Sequence, residues 1–511
     1  MAIYLARIRR RRLPALRLRR FAFILLALAA SASHSLDLRI SGKPWPLPED
    51  SALRALCYPV PEAGPGERGI ALSEVLPPLA EAWKLDAKGP GGNLSWASDE
   101  VLSLLGETYL LASKAGWKIL CPRGVLDGIS SIDLSAQAAE EGELEVWLSW
   151  EGVPKLKAEL ARWSALTGVK VKALELPDTR SKFLALLRGG GRLPDLFMVQ
   201  TSDIADLSET GALQRLERLA GRASPLDPKG LQAFRTERGL WALPFYFDTQ
   251  LVFYRKSKLR KAPAETWSLE GLEALAVSLS APGKPALSWN MYSAYWLLPF
   301  AIGFGKLSIA DADGAVRPDD PGTLAALEWM LGLIGKGALE PLERDAMIGR
   351  FASGEIPIIL SGSYSIPEFE RIGIDFGVAS YPVSEKTGKA VSPLLDYKGF
   401  AVSKSTKSPI SAAWLLGYLT GTGVQQRFNS ALYKLPVEPG AWAEARRTNP
   451  YYPQLARSAA MGSVIPPGEG YSIYKNVMWK IIRFVLTGAM TLPKALGEAR
   501  RLIDANYSQK H

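Results

Sequence analysis

The chain has 511 residues, 47% of them hydrophobic and 22% charged, an ordinary globular composition with room for about three domains. Its net charge of +10 would point to nucleic acid or an anionic membrane, but eight arginines and no acid lie within residues 1–20, leaving 53 basic against 51 acidic residues beyond them. With His34 and His511 as its two histidines, the body has no imidazole for a serine–histidine triad, a histidine general base or a histidine zinc site. No nucleic-acid partner, metal or cofactor is therefore expected.

The basic run leads into an apolar stretch over 21–32 that ends in Ala30, Ser31 and Ala32, the layout of a secretory signal peptide over 1–32. The stretch is shorter than the ~20 apolar residues of a membrane-spanning helix; an uncleaved anchor is the alternative. A periplasmic or extracellular location follows. Cys57 and Cys121, 64 positions apart, would then meet an oxidising compartment. The expectation is a disulfide between them, with two buried free thiols as the alternative.

Residues 36–136 read as a small α+β domain, with a helix predicted over 99–113 between strands. A polar, acidic stretch over 137–142 (QAAEEG) reads as a linker. After it, 143–150 has the β-branched and aromatic content of a strand. Val153, Leu156, Leu160, Trp163 and Leu166 recur at helical spacing, and 169–176 alternates as a second strand. Strand, helix and strand in so few residues predict a parallel βαβ unit. Helical runs follow over 202–213, 268–278, 323–334, 411–419 and 475–486, giving an α/β body. Trp147, Trp163, Trp267, Trp329, Trp414 and Trp479 fall on strands or helical stripes and are expected in the core.

From residue 143 onward a series of landmarks appears in order: GELEVWLSWEG, ALTGVKV, LPDLFMVQTSDIADLSETGAL, ALPFYFDTQLVFYRKSKL, APAETWSLEGLEAL, ALSWNMYSAYWLLPFAIGFG, FASGEIPIILSGSYSIPEF and GVASYPVS. Together they resemble the extracellular solute-binding proteins of ABC transporters of the maltose-binding type. The resemblance implies a two-lobed periplasmic-binding-protein fold with an interlobe cleft. One lobe would hold about 143–248 and 399–448, the other about 249–398 and 449–511. It further implies a monomer that captures a small solute, carbohydrate above all, and delivers it to membrane permease subunits without catalysis.

Carried over residue by residue, the resemblance places Trp150 and Glu151 on the first-strand loop, Tyr246 and Asp248 at the first crossing, and Asp396 at the second. Tyr292, Tyr295 and Trp296 fall on the pocket helix, Tyr364 in a stacking position, and Tyr471 and Tyr474 near the last aromatic contact. The sequence departs from the family pattern at Gly152, Asp248, Ser293, Val199, Ser202 and Asp203, which argues against maltose itself. Flat aromatic faces suit the apolar faces of sugars while acids accept hydroxyl protons at the ring edge. Aromatics with Glu151 and Asp248 would also suit a polyamine or another organic cation. A secreted sensor or adhesin, and a two-carboxylate glycosidase using Glu151 and Asp248, are the remaining alternatives. Asp311, Asp313 and Gly314 resemble the start of a calcium loop, but the twelfth position is Gly322 and the bidentate acid is missing.

Overall fold

A computed structural model describes residues 36–508 except positions 99, 115, 140, 221–225 and 260; the signal-peptide reading of 1–32 lies outside them. Among the described residues no helix is long and apolar enough to cross a membrane.

Residues 37–138 build two five-stranded sheets around their own core of Leu38, Leu85, Leu110, Trp117, Ile119 and Ile132. Among the described residues, helix is confined to Asp50–Leu56, single α turns at Leu72–Val75 and Val101–Leu104, and 3-10 turns at Pro61–Ala63 and Leu105–Glu107, so the unit is strand-dominated. The helix expected over 99–113 is cut to an α turn at Val101–Leu104 and a 3-10 turn at Leu105–Glu107, and Tyr109–Ser113 becomes a strand between Arg68–Ala71 and Gly116–Cys121. A short apolar run has no period long enough to separate helix from strand, and here pairing on both edges decides.

Cys57 and Cys121 are buried free thiols, which corrects the expected disulfide. Cys57 immediately precedes the strand Tyr58–Pro59, and Cys121 ends Gly116–Cys121, on the far side of two intervening strands of the same sheet. Three strand spacings of about 4.8 Å far exceed the roughly 4.4–6.8 Å between Cα atoms that a disulfide spans.

The stretch 137–142 is not a loose tether. The strand Ser131–Ala138 runs into it, and the Glu141 carboxylate then accepts from the backbone amides of Ile410 and Ser411 at 3.0 and 2.6 Å. It thereby caps the body helix Pro409–Thr420, where an anion also suits the helix dipole. Trp414 of that helix packs against both the domain core and the body core.

The body opens with the expected βαβ unit: Leu144–Leu148, helix Val153–Thr167, then Val171–Glu175 pairing parallel to the first strand. The helix buries Val153, Leu156, Leu160, Trp163 and Leu166, the positions read from periodicity, and closes on Gly168 in the left-handed region. The first lobe's sheet runs Val171–Glu175, Leu144–Leu148, Leu196–Gln200, Leu394–Val402, Ala242–Asp248, Leu435–Pro436. The second lobe's sheet runs Leu339–Pro341, Leu287–Trp289, Ile358–Gly362, Gln250–Arg255, Phe376–Ala379. The α/β class and two-lobed architecture hold.

Chain passes between the sheets with Thr249 alone separating Ala242–Asp248 from Gln250–Arg255, again between Phe376–Ala379 and Leu394–Val402, and again through helix Tyr452–Met461. Gln250 ties these crossings together. Its side-chain oxygen accepts from Leu394 N at 2.9 Å, its backbone carbonyl accepts from Ser458 Oγ at 3.0 Å, and its amide donates to Tyr295 O at 3.2 Å. Trp147 and Trp163 are core residues and Trp267, Trp329 and Trp414 are partly buried against it, but Trp479 is 49% exposed, contrary to expectation. The Asp311–Asp313 loop is closed by Arg317, which pairs with both acids and with Asp504 at 2.7–2.9 Å.

Candidate ligand-binding site

Between the lobes, next to the first crossing, lies a buried ammonium. Lys434 Nζ stands 2.7 Å from Asp248 Oδ2 and 3.2 Å from Glu151 Oε2, and the three side chains are 1%, 3% and 48% exposed respectively. Asp248 also accepts from Ser363 Oγ at 2.7 Å, and that hydroxyl in turn accepts from Thr249 N at 3.1 Å. The ammonium faces the Tyr246 ring at 5.1 Å and the Tyr364 ring at 5.9 Å. Burial alone would lower the Lys434 pKa, but Asp248 and Glu151 outweigh it and hold the group above its ordinary value, so it stays charged.

A second pair sits alongside. Asp396 is the register partner of Asp248 across the two hinge strands, and it takes Lys398 Nζ at 2.5 Å. That ammonium lies 5.3 Å over the Trp150 ring. Tyr246, Tyr295, Tyr364 and Tyr471 all feel the Asp396 carboxylate. Burial and then neighbouring carboxylates and tyrosines push all four hydroxyls up, Tyr364 to about 12. Each therefore remains a neutral hydroxyl donor near an acceptor carboxylate.

The backbone holds the site under tension. Among the described body residues, the two non-glycine positions with positive φ are Trp150 (φ 64°) and Tyr433 (φ 54°). Each immediately precedes one member of the Glu151–Lys434 pair. A bulky aromatic in the left-handed region costs about 1–3 kcal/mol, and such strain persists where the surroundings enforce it. Gly152, at φ 86°, completes the turn; a Cβ there would meet Leu432 at 2.4 Å and Phe428 at 2.8 Å, and Phe428 packs on Tyr246. That contact, with the positive φ, accounts for glycine at this position.

The sequence-derived residues therefore divide. Trp150, Glu151, Tyr246, Asp248, Tyr295, Tyr364, Asp396 and Tyr471 come together around the two lysines. Trp150, Glu151, Tyr295, Tyr364 and Asp396 retain accessible surface, while Tyr246, Asp248, Lys398 and Lys434 form a buried floor. Trp296 is 6% exposed and packs edge-on behind Tyr295 at 5.2 Å. Tyr474 is fully buried behind Tyr471, their rings stacked at 6.5 Å, so it is a core residue and not part of the rim. Tyr292 stands apart, under the Arg483 guanidinium at 4.5 Å, with Trp479 on the same guanidinium at 4.6 Å.

Lys398 and Lys434 were missed. Lys398 had a legible signal, because Asp396 and Lys398 are two apart on one strand and share a face. Lys434, a single cation in the apolar run ALYKLP, had none.

The profile of the bacterial extracellular solute-binding protein family matches residues 160–448, more than half of the chain. A galactooligosaccharide-binding protein of Bacillus subtilis is 24% identical over 300 residues, 56% of this chain and 70% of its own length. A maltodextrin-binding protein of the same organism is 23% identical over 349 residues, 65% of this chain and 82% of its own. Among solved structures, the maltose/maltodextrin-binding domain from Bdellovibrio bacteriovorus bound to maltotriose aligns with a TM-score of 0.63 at 19% identity, covering 72% of this chain and all of that one. The maltotriose-binding protein of Thermus thermophilus bound with maltotriose gives 0.62 at 20%, covering 71% of this chain and all of that one. The fold, the hinge crossings and the family match agree: the chain belongs to the bacterial extracellular solute-binding protein family.

Proposed function

We propose that the protein is the substrate-binding component of an ABC importer, exported by residues 1–32 to the periplasm or cell exterior. It captures an oligosaccharide between its lobes, closes by hinge motion and hands the solute to a permease. The observation that carries the choice of ligand is the pairing of acids with lysines: Asp248 with Lys434 and Asp396 with Lys398. An organic cation would have to displace ammonium groups already seated on both hinge carboxylates. A neutral polyol needs no such exchange; aromatic rims from Trp150, Tyr295 and Tyr364 give it stacking faces, and Asp396 and Glu151 give it acceptors. The maltodextrin and galactooligosaccharide ligands in the relatives' names support the same class.

The glycosidase alternative is the less favoured reading. Against it, Glu151 and Asp248 are both engaged by one ammonium nitrogen, and Asp248 at 2% exposed is shielded from a glycosidic bond. A thermal-shift panel decides among the readings, since a ligand raises the melting temperature by mass action. Malto- or galactooligosaccharides should raise it and spermidine should not; a shift with spermidine and none with any oligosaccharide overturns the proposal.

A further inference from the structure

A cavity of about 340 Å³ lies between the N-terminal domain and the first lobe, away from the hinge. This volume falls in the range of small-molecule sites. Leu79, Leu102 and Leu105 line it from the domain, and Leu243, Trp414 and Leu416 from the lobe. One part of the lining is polar, with Tyr58, Glu74, Tyr109 and Tyr418. Most of these polar groups are held fast. Tyr58 OH donates to Glu74 Oε1 at 2.5 Å, and Tyr418 OH donates to Glu159 Oε2 at 2.8 Å. Arg427 pairs with both Glu159 oxygens at 2.9 Å.

Two hydrogen-bonding positions are left over. Tyr109, 8% exposed, makes no hydrogen bond through its hydroxyl among the described residues, and the second oxygen of Glu74 takes none from a described side chain. Both atoms line the cavity and are absent from the sealed, unpartnered polar atoms of the interior, so a guest's polar head can reach them there. Charge narrows the guest further. Glu74 and Glu159 stand against Arg427 and Arg162, two carboxylates with two guanidiniums, so a charged guest would enter without a counterion.

We propose that this interdomain cavity is a second ligand site, distinct from the hinge cleft, for a small uncharged amphiphile whose hydroxyl or amide head meets Tyr109 and Glu74 and whose apolar body lies among the leucines and Trp414. The site belongs jointly to the two domains and neither half encloses it alone.

The test uses the full chain and the uncharged fluorophore N-phenyl-1-naphthylamine. Its fluorescence should rise on binding and fall on displacement by 4-butylphenol, at a concentration at least tenfold below that needed with butylbenzene. Size-matched 4-butylbenzoate and 4-butylbenzylammonium should need at least tenfold more than the phenol. Gly417→Phe fills the cavity from a helical position where an added Cβ meets nothing within 4 Å; it should keep the circular dichroism of the parent and weaken fluorophore binding at least tenfold. Tyr109→Phe should leave fluorophore binding intact and narrow the phenol preference. Unchanged binding in Gly417→Phe, displacement of the fluorophore by maltotriose, or equal displacement by the phenol and the hydrocarbon would each overturn the proposal.

Discussion

Replacing Lys434 with Met tests the buried ion pair at the hinge. The side chain is 1% exposed and its ammonium is 2.7 Å from Asp248, itself 3% exposed in its side chain. Methionine keeps the length and apolar stem but leaves the Asp248 charge with the Ser363 hydroxyl and backbone surroundings; Glu151, 48% exposed, can return to water. Breaking a buried pair from one side costs about 3–5 kcal/mol. For a two-lobed body of roughly 370 residues, an unfolding entropy near 2.1 cal/mol/K per residue gives about 0.8 kcal/mol/K, so the melting temperature should fall by about 4–6 °C. Asp248→Asn alone should also destabilise, because Glu151 is then the remaining counterion for a buried ammonium. The double variant should recover at least about half of the summed loss, since the two changes remove one shared interaction. Circular dichroism melts of the four proteins measure this. A Lys434→Met melt within about 1 °C of the parent, or a double variant whose loss equals the sum of the singles, would refute the reasoning.

Gly152→Ala places a methyl group at φ 86° and 2.4 Å from Leu432; it should cost about 1–3 kcal/mol in a denaturant titration and weaken oligosaccharide binding through Phe428 and Tyr246. Burial would raise the Glu159 carboxyl, but Arg427, Tyr418 and Arg162 outweigh it and hold its pKa below the ordinary value. Its stabilisation is thus full above the unfolded value near 4.5 and fades as pH falls through the lower folded value. The stability gap between parent and Glu159→Gln, about 1–3 kcal/mol at pH 7, should close on acidification, as melts from pH 7 to pH 3 would show. Cys57 is buried and its thiol is pushed up to about 11 by that burial. Without reductant, Ellman's reagent should therefore find almost no thiol in the native protein and two per chain after denaturation; none after denaturation would mean a disulfide.

The body was more legible than the N-terminal domain, for physical reasons. Its opening helix shows a clean 3.6-residue stripe closed by Gly168, so Val153 to Leu166 could be placed from the sequence. The run over 99–113 mixes leucines with Glu100, Gly106, Glu107 and Thr108, and its division into short helical turns and a strand depends on pairing with Arg68–Ala71 and Gly116–Cys121. Likewise the separation of Cys57 and Cys121 is a property of strand order, which spacing does not reveal. At the site, the rim was legible because aromatics and acids flank recognisable landmarks, while the floor was not. Lys434 reaches the hinge from the far end of helix Thr422–Leu432, 186 residues beyond Asp248, and nothing local to ALYKLP announces a counterion. Tyr292 and Tyr474 share the pocket-helix and last-contact landmarks with Tyr295 and Tyr471, which lie near Asp396, and side-chain direction separates them.

The most direct measurement is isothermal titration of maltotriose, a galactooligosaccharide and spermidine into the parent protein and Tyr364→Ala. The account predicts one-to-one heat with at least one oligosaccharide, a loss of at least about tenfold in affinity when the Tyr364 stacking face is removed, and no heat with spermidine. Saturable spermidine heat with silent oligosaccharides, or oligosaccharide affinity indifferent to Tyr364, would contradict it.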